Sequence, residues 1–304
     1  MAGAGIAGRG GESMKKAYVK YILALLLFGL NGIVASYISL NSYEIVLLRT
    51  AIGGLLLLGV FLASKRKPRG ARNKKDLLYL AISGAAMGAS WMFLYEAYTQ
   101  IGVGVATLAY YCGPVLVMAI APIVFREKIT VAKGIGFLLV LAGMYLVNRQ
   151  ALERSGLSWG LLCGIMAAVM YVVMVVANKK AKSITGLENA LLQLAFGFVV
   201  VAVFTVLRQG LTLTIAPQDV LPVLVLGVVN TGIGCYLYFS AIPQLPAQSV
   251  AICGYLEPVS ALLFASVILR ERLAGWQWVG TVLVIGGAAF GELYRRRKTA
   301  QSEK

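Results

Sequence analysis

Residues 100–129, QIGVGVATLAYYCGPVLVMAIAPIVFREKI, return as residues 244–273, QLPAQSVAICGYLEPVSALLFASVILRERL. The displacement is 144 residues: Pro258 falls on Pro114, Tyr255 on Tyr111, Gln244 on Gln100, and Arg270-Glu271 on Arg126-Glu127. The register runs forward without a gap, placing Gly280 on Gly136, Leu283 on Leu139 and Gly287 on Gly143. It also runs backward, placing Gly232 on Gly88, Glu188 on Glu44, Ala195 on Ala51 and Gly197 on Gly53. Matches of glycine and alanine are common in membrane helices, so the proline, glutamine and Arg-Glu matches carry the argument. A chain built this way has to fold the same way twice.

Each copy is about as long as one bilayer crossing. Hydrophobic residues make up 59% of the 304 and charged residues 13%, which defines a polytopic, all-α membrane protein. Ten helices are expected, at about 18–40, 43–64, 75–96, 101–124, 129–148, 157–177, 188–207, 220–241, 247–269 and 274–293. Residues 14–150 then form a first five-helix repeat. Residues 151–304 form the second, with a basic C-terminal tail, in one membrane domain. Five is odd, so the second repeat enters the membrane in the opposite sense. Inverted repeats are a transporter architecture, with the site between two matching halves. With both repeats in one chain, a monomer is expected.

The formal charge of +16 raises nucleic acid as a partner, but the basic residues sit in short loops between apolar runs. Their distribution orients the chain. With the N-terminus inside, the inner side holds Lys15, Lys16, Lys20, the Lys65–Lys75 run, Arg126, Lys128, Lys133, Lys179, Lys180, Lys182 and Arg295–Lys298. The outer side holds only Arg149, Arg154, Arg208, Arg270 and Arg272. Both termini are therefore expected in the cytoplasm, with the chain in the inner (plasma) membrane. The Lys65–Lys75 run is foremost a topology determinant, though it could also hold anionic lipid.

Several chemistries are disfavoured. The chain has no histidine, which removes histidine metal sites, triads and proton relays. Cys112, Cys163, Cys235 and Cys253 all lie in apolar runs and read as small packing residues. No cofactor and no metal are expected. Gly53-Gly54 and Gly286-Gly287 read as close-packing positions, not a phosphate loop. Residues 1–13, MAGAGIAGRGGES, lack the apolar core of a signal peptide and are expected to be an added or disordered leader.

The candidate site centres on Glu257. A carboxylate at mid-helix costs roughly 2.5–3.5 kcal/mol even on the mild insertion scale, so it marks a substrate, a proton or a structural ion pair. Ser249, Cys253, Glu257 and Ser260 share one helical face. Pro114 and Pro258 are expected to kink their helices and to free the carbonyls of Tyr110 and Gly254. Aromatic residues gather in corresponding helices. The substrate-binding candidates are Asn31, Trp91, Tyr95, Tyr110, Tyr111, Tyr171, Tyr238, Tyr255 and Glu257, with Glu257 also the candidate for proton coupling. Tyrosines beside one carboxylate suit a solute carrying an amine. For Asn31 and Asn230, interhelical hydrogen bonding is an equal alternative. Arg49 is expected to pair with Glu44, Glu96 or Glu257.

Arg126-Glu127-Lys128-Ile129 and Arg270-Glu271-Arg272-Leu273 each follow a proline-bearing helix and precede a Gly-x6-Gly helix. Together with Leu256-Glu257-Pro258-Val259 and Leu47-Leu48-Arg49, this order resembles the EamA-type drug/metabolite transporter superfamily. The resemblance implies ten helices in two inverted repeats and transport of small metabolites, often amino acid export. Two departures are Gly113 where the second repeat has Glu257, and Phe28-Gly29 where the family often has Trp-Gly. The leading reading is a secondary transporter of an amino acid or amine, working by alternating access as an exporter. A passive facilitator or channel competes with it. An enzyme fits poorly, since Asp76 and Asp219 are the only aspartates.

Overall fold

The computed structural model describes residues 3–65, 67–68, 73–152, 159–210, 213–268, 270 and 274–302. Every regular element among them is helical: α1 Gly3–Gly29, α2 Asn31–Ala35, α3 Ser42–Ala63, α4 Lys74–Tyr110, α5 Cys112–Phe125, α6 Val131–Leu152, α7 Trp159–Lys180 and α8 Leu187–Gln209. A helical ribbon from Pro217 to Gln244 follows, with α9 Val220–Leu224, a π-helical stretch Val225–Ile233 and α10 Gly234–Ala241. Then come α11 Ala247–Gly254, α12 Leu256–Ile268 and α13 Gly275–Ser302. Among the described residues, seven helices are long and apolar enough to cross a membrane, and Cys112–Phe125 and Val131–Leu146 are shorter apolar ones. The chain is a polytopic helical membrane protein. Residues 3–13 form the start of α1. Glu271, Arg272 and Leu273 of the second Arg-Glu motif, and Arg66, Arg69 and Arg72 of the Lys65–Lys75 run, lie outside the described residues.

Helix ends follow from local chemistry. At the start of α3, the Asn41 side chain accepts from the Tyr43 and Glu44 amides, at 3.0 and 3.1 Å. The Glu44 carboxylate accepts in return from the Asn41 amide at 3.0 Å, completing a capping box. Glu44 is thereby committed to its own helix end rather than to Arg49. Arg126 and Arg270, equivalent under the 144-residue offset, both adopt positive φ, 55° and 56°. The duplication thus extends to an unusual backbone conformation.

The chain forms two compact units, and neither coincides with a sequence repeat. One holds residues 1–88 and 173–246; the other holds 89–172 and 247–304. In the first, a Cβ on Gly53 would stand 3.1 Å from the Gly232 amide nitrogen, and one on Gly88 would stand 2.5 Å from the Gly197 carbonyl. Under the offset, Gly53 and Gly88 correspond to Gly197 and Gly232, so these two contacts are one contact with its members exchanged. The same unit is pinned twice more. Asp219 accepts from the Ser39 amide at 3.1 Å and from the Ser39 hydroxyl. Asp76 accepts from the Ser183 amide at 2.6 Å and hydroxyl at 2.5 Å. Ser39 and Ser183 are again 144 residues apart.

In the second unit, a Cβ on Gly136 would meet the Gly287 carbonyl at 2.5 Å, and one on Gly143 would meet the Gly280 carbonyl at 2.5 Å. As α6 advances α13 retreats, so the two are antiparallel, and the pair is again exchanged by the offset. A two-fold that swaps antiparallel helices lies perpendicular to them. For helices crossing a bilayer, that axis lies in the membrane plane, the arrangement of inverted repeats.

One expected connection differs in its local structure. The loop expected between residues 96 and 101 is replaced by helix, since α4 runs unbroken to Tyr110. Contacts along α7 show that α4 turns back. The Ser90 hydroxyl donates to the Ala167 carbonyl at 2.8 Å, and Gln100 lies against Gly160. Yet Ala109 returns to Gly164. A straight helix would carry residue 109 about 13 Å beyond residue 100 along its axis, far past Gly164. The chain therefore reverses near Ile101, where the connection was expected, with helix on both sides of the reversal.

Gly136→Ala is expected to lower stability by about 1–3 kcal/mol, because the new methyl meets backbone that cannot yield. Gly134→Ala, where nothing lies within 4 Å of the added Cβ, should leave stability unchanged or slightly raised. Thermal unfolding of the purified protein in detergent checks both.

Candidate functional site

The predicted helix 101–124 is broken at Tyr111, between α4 and α5. The predicted helix 247–269 is broken at Tyr255, between α11 and α12. In each case the proline, Pro114 or Pro258, is the third residue of the helix that follows. There its missing N–H costs nothing, and its ring disrupts the preceding turn. The break therefore precedes the proline rather than bending the helix at it.

Tyr111 and Tyr255 lie against each other, ring centroids 6.0 Å apart. Tyr110 packs beside Tyr111 at 5.3 Å and edge-on to Tyr171 at 5.8 Å. Glu257, half-buried in the first turn of α12, acts electrostatically on both Tyr110 and Tyr111. Five of the predicted site residues thus converge in one unit. Tyr255 is the most enclosed, at 1% exposure. Its hydroxyl donates to the Tyr111 carbonyl at 2.7 Å, and the Val115 amide acts on the same oxygen. That makes Tyr255 a backbone partner. Among the described residues, no hydrogen bond engages the hydroxyls of Tyr95, Tyr110 or Tyr111.

The Gly113 departure has a steric cause. A Cβ on Gly113 would stand 2.8 Å from Cδ1 of the Tyr171 ring. The ring occupies the space that a side chain equivalent to Glu257 would need. The residue equivalent to Tyr171 in the first repeat is Leu27, so a larger side chain on one element is matched by none on its neighbour.

The remaining candidates distribute differently. Trp91 is half-buried, and Tyr95 packs edge-on against Tyr98 at 5.2 Å in the same unit as the cluster. Asn31 and Tyr238 belong to the other unit. There Asn31 accepts from the Asn230 amide group at 3.1 Å, which also donates to the Leu27 carbonyl at 2.9 Å. Tyr238 stacks on Tyr21 at 5.2 Å and packs on Phe28 at 5.5 Å. The buried Arg49 donates through Nε to Thr231 at 2.9 Å. Thr231 in turn donates to the Leu226 carbonyl, five residues back, within the π-helical stretch.

Two residues outside the predicted set shape the cluster's helices. The Glu127 carboxylate accepts from the Ala247 and Gln248 amides, at 2.7 and 3.1 Å, capping α11 from the other repeat. The Arg-Glu motif therefore seals the helix that leads to Tyr255. Lys133, counted among the inner-side charges, is buried, with Nζ 3.4 Å from the Ser249 hydroxyl. A signal existed for it: Lys133 shares a helical face with Gly136, Val140 and Gly143, the packed face of α6. On the predicted polar face of α11 and α12, Ser260 is turned back to the Glu257 carbonyl at 2.8 Å.

A duplicated bundle of apolar helices, exchanged about a two-fold and broken at paired prolines, is the build of a multi-pass transporter. The chain belongs to the EamA-like transporter family, whose model matches residues 15–149 and again 156–291. It is 24% identical to the uncharacterised transporter YxxF of Bacillus subtilis (strain 168), covering 93% of this chain and 91% of that one. It is 22% identical to the uncharacterised inner membrane transporter YicL of Salmonella typhimurium, covering 94% and 98%. A solved crystal structure, 20% identical, superposes with a TM-score of 0.77 over 91% of this chain and 98% of the other, a likeness of fold.

Gly113→Ala is expected to destabilise the protein by roughly 1–3 kcal/mol through the Tyr171 ring. Combining it with Tyr171→Leu should recover part of that loss, a coupling of about 0.5–3 kcal/mol. A double-mutant cycle on thermal stability measures it; additive losses would refute the steric account.

Proposed function

We propose that this transporter is a secondary carrier for a small amphipathic metabolite bearing an amine, such as an amino acid. It moves the solute out across the cytoplasmic membrane by alternating access, with both termini inside. The observation that carries the reading is the grouping of Glu257 with Tyr110, Tyr111 and Tyr171 in one helical unit. A half-buried carboxylate supplies the counter-charge for an ammonium group. The tyrosine rings offer negatively polarised faces, and among the described residues no hydrogen bond engages the hydroxyls of Tyr110 and Tyr111. The two helix breaks at Tyr111 and Tyr255 supply mobile points beside this group. Both termini inside is the orientation that the loop lysines and arginines favour. The curated relative YicL bears an inner-membrane name, in line with this location.

The reading is tested with Glu257→Gln in proteoliposomes, scoring binding, counterflow and pH-driven flux on one folded preparation. A cation-binding role predicts binding weakened by about tenfold or more, at every pH where the acid is ionised. A proton-coupling role predicts intact binding and exchange with loss of the response to a pH gradient. Wild-type behaviour in all three assays would remove Glu257 from the site. Wild-type protein that passes solute downhill without counterflow would replace the carrier with a passive facilitator.

A further inference from the structure

We propose that Tyr111 and Tyr255 form a two-position switch, in which one tyrosine at a time lends its hydroxyl to the backbone break beside the other. The proposal rests on the alternating-access reading and adds the residues that exchange.

The two breaks are equivalent in sequence and in structure. Each lies at a tyrosine three residues before a proline, and the tyrosines are 144 residues apart. A residue that touches its own repeat-mate lies beside the local two-fold, and these two rings are 6.0 Å apart. Their bonding is one-sided. The Tyr255 hydroxyl donates to the Tyr111 carbonyl at 2.7 Å and meets the Val115 amide. Those two backbone groups are an i, i+4 pair, the pair that closes the first turn of α5. The hydroxyl is thus an added side-chain partner for the carbonyl that begins α5, beside the break. The mirror arrangement would place the Tyr111 hydroxyl at the Tyr255 carbonyl and the Val259 amide. Among the described residues, no hydrogen bond engages the Tyr111 hydroxyl.

Asymmetry is not general to the duplicated contacts. The clamps Ser39–Asp219 and Ser183–Asp76 are both made, as are both glycine contacts of α6 with α13. An inverted-repeat carrier reaches its second state when each repeat adopts the other's conformation. For contacts present on both sides, that exchange changes nothing. For the tyrosine pair, it moves the bridging hydroxyl from the first break to the second. Glu257 lies two residues beyond Tyr255, so a change at that break turns the carboxylate of the site. Tyr111 and Tyr255 thereby act as positioning residues.

Hydrogen exchange in lipid nanodiscs, read on peptides covering residues 112–118 and 256–262, tests the switch. Tyr255→Phe should speed exchange in the first peptide and slow it in the second. Each change should be roughly 2- to 12-fold, the population shift that one net hydrogen bond supplies. Tyr111→Phe should produce the reverse, and the double variant should bring the two peptides back toward each other. Either single variant decides the matter if the other fails to fold. A change in the first peptide alone with Tyr255→Phe, or no change in either with Tyr111→Phe, overturns the switch. Counterflow by the wild type separates the two claims: present without reciprocal exchange, it leaves the carrier standing and the switch refuted. Reciprocal exchange without counterflow supports the switch and refutes the carrier.

Discussion

Helices in a bilayer gain nothing from hiding apolar side chains from one another, because the lipid is equally apolar. Their association depends on how closely their backbones approach. In this chain the closest approaches are glycine contacts, and they come in exchanged pairs. Gly53 with Gly232 is matched by Gly197 with Gly88; Gly136 with Gly287 is matched by Gly280 with Gly143. Each helix of one repeat therefore completes a helix of the other. Neither repeat forms a compact unit by itself, and both compact units draw on both repeats.

Polar groups follow the same rule of exchange. Asp76 and Asp219, the only aspartates in the chain, do the same work on equivalent loop serines. Glu127 caps a helix of the opposite repeat. Where a residue meets its own mate, exchange turns into self-contact, and at Tyr111 and Tyr255 the backbone is broken as well. Helix breaks at membrane depth need partners for the freed backbone groups. Here a tyrosine hydroxyl supplies one. Beside it, the symmetry is broken chemically, with Glu257 in one repeat and, in the other, Gly113 closed off by Tyr171. The single carboxylate and the adjoining tyrosines are where a solute with a cationic group finds complementary charge.

Much of this was legible in the sequence because duplication leaves an exact register. The offset matched the prolines, the glycines and Tyr111 with Tyr255 between the repeats, and the odd helix count implied inversion. Apolar periodicity found the helical segments and placed a connection at 96–101, where the chain does reverse, but it did not show that helix is retained on both sides of that point up to Tyr110. Charge was the least legible. Lysines counted as loop charges proved to be wired inward: Lys133 toward Ser249, and Lys179 to the carbonyls of Ile242 and Leu245. Glu44, one of three partners expected for Arg49, caps its own helix. Long polar side chains reach partners set by tertiary packing, which local sequence does not encode. Tyr255 shows the same limit: it stood out as a site candidate, but its bond to backbone was not legible.

The account rests on inversion of the two repeats, and the sidedness of equivalent loops tests it most directly. Tyr37 and Lys182 are exposed in the loops that carry the equivalent Ser39 and Ser183. Single cysteines at these two positions, in a background lacking Cys112, Cys163, Cys235 and Cys253, can be probed with a membrane-impermeant thiol reagent. On sealed vesicles of known orientation, the two cysteines should react from opposite sides of the membrane. Reaction of both from the same side would mean parallel repeats and would contradict the account.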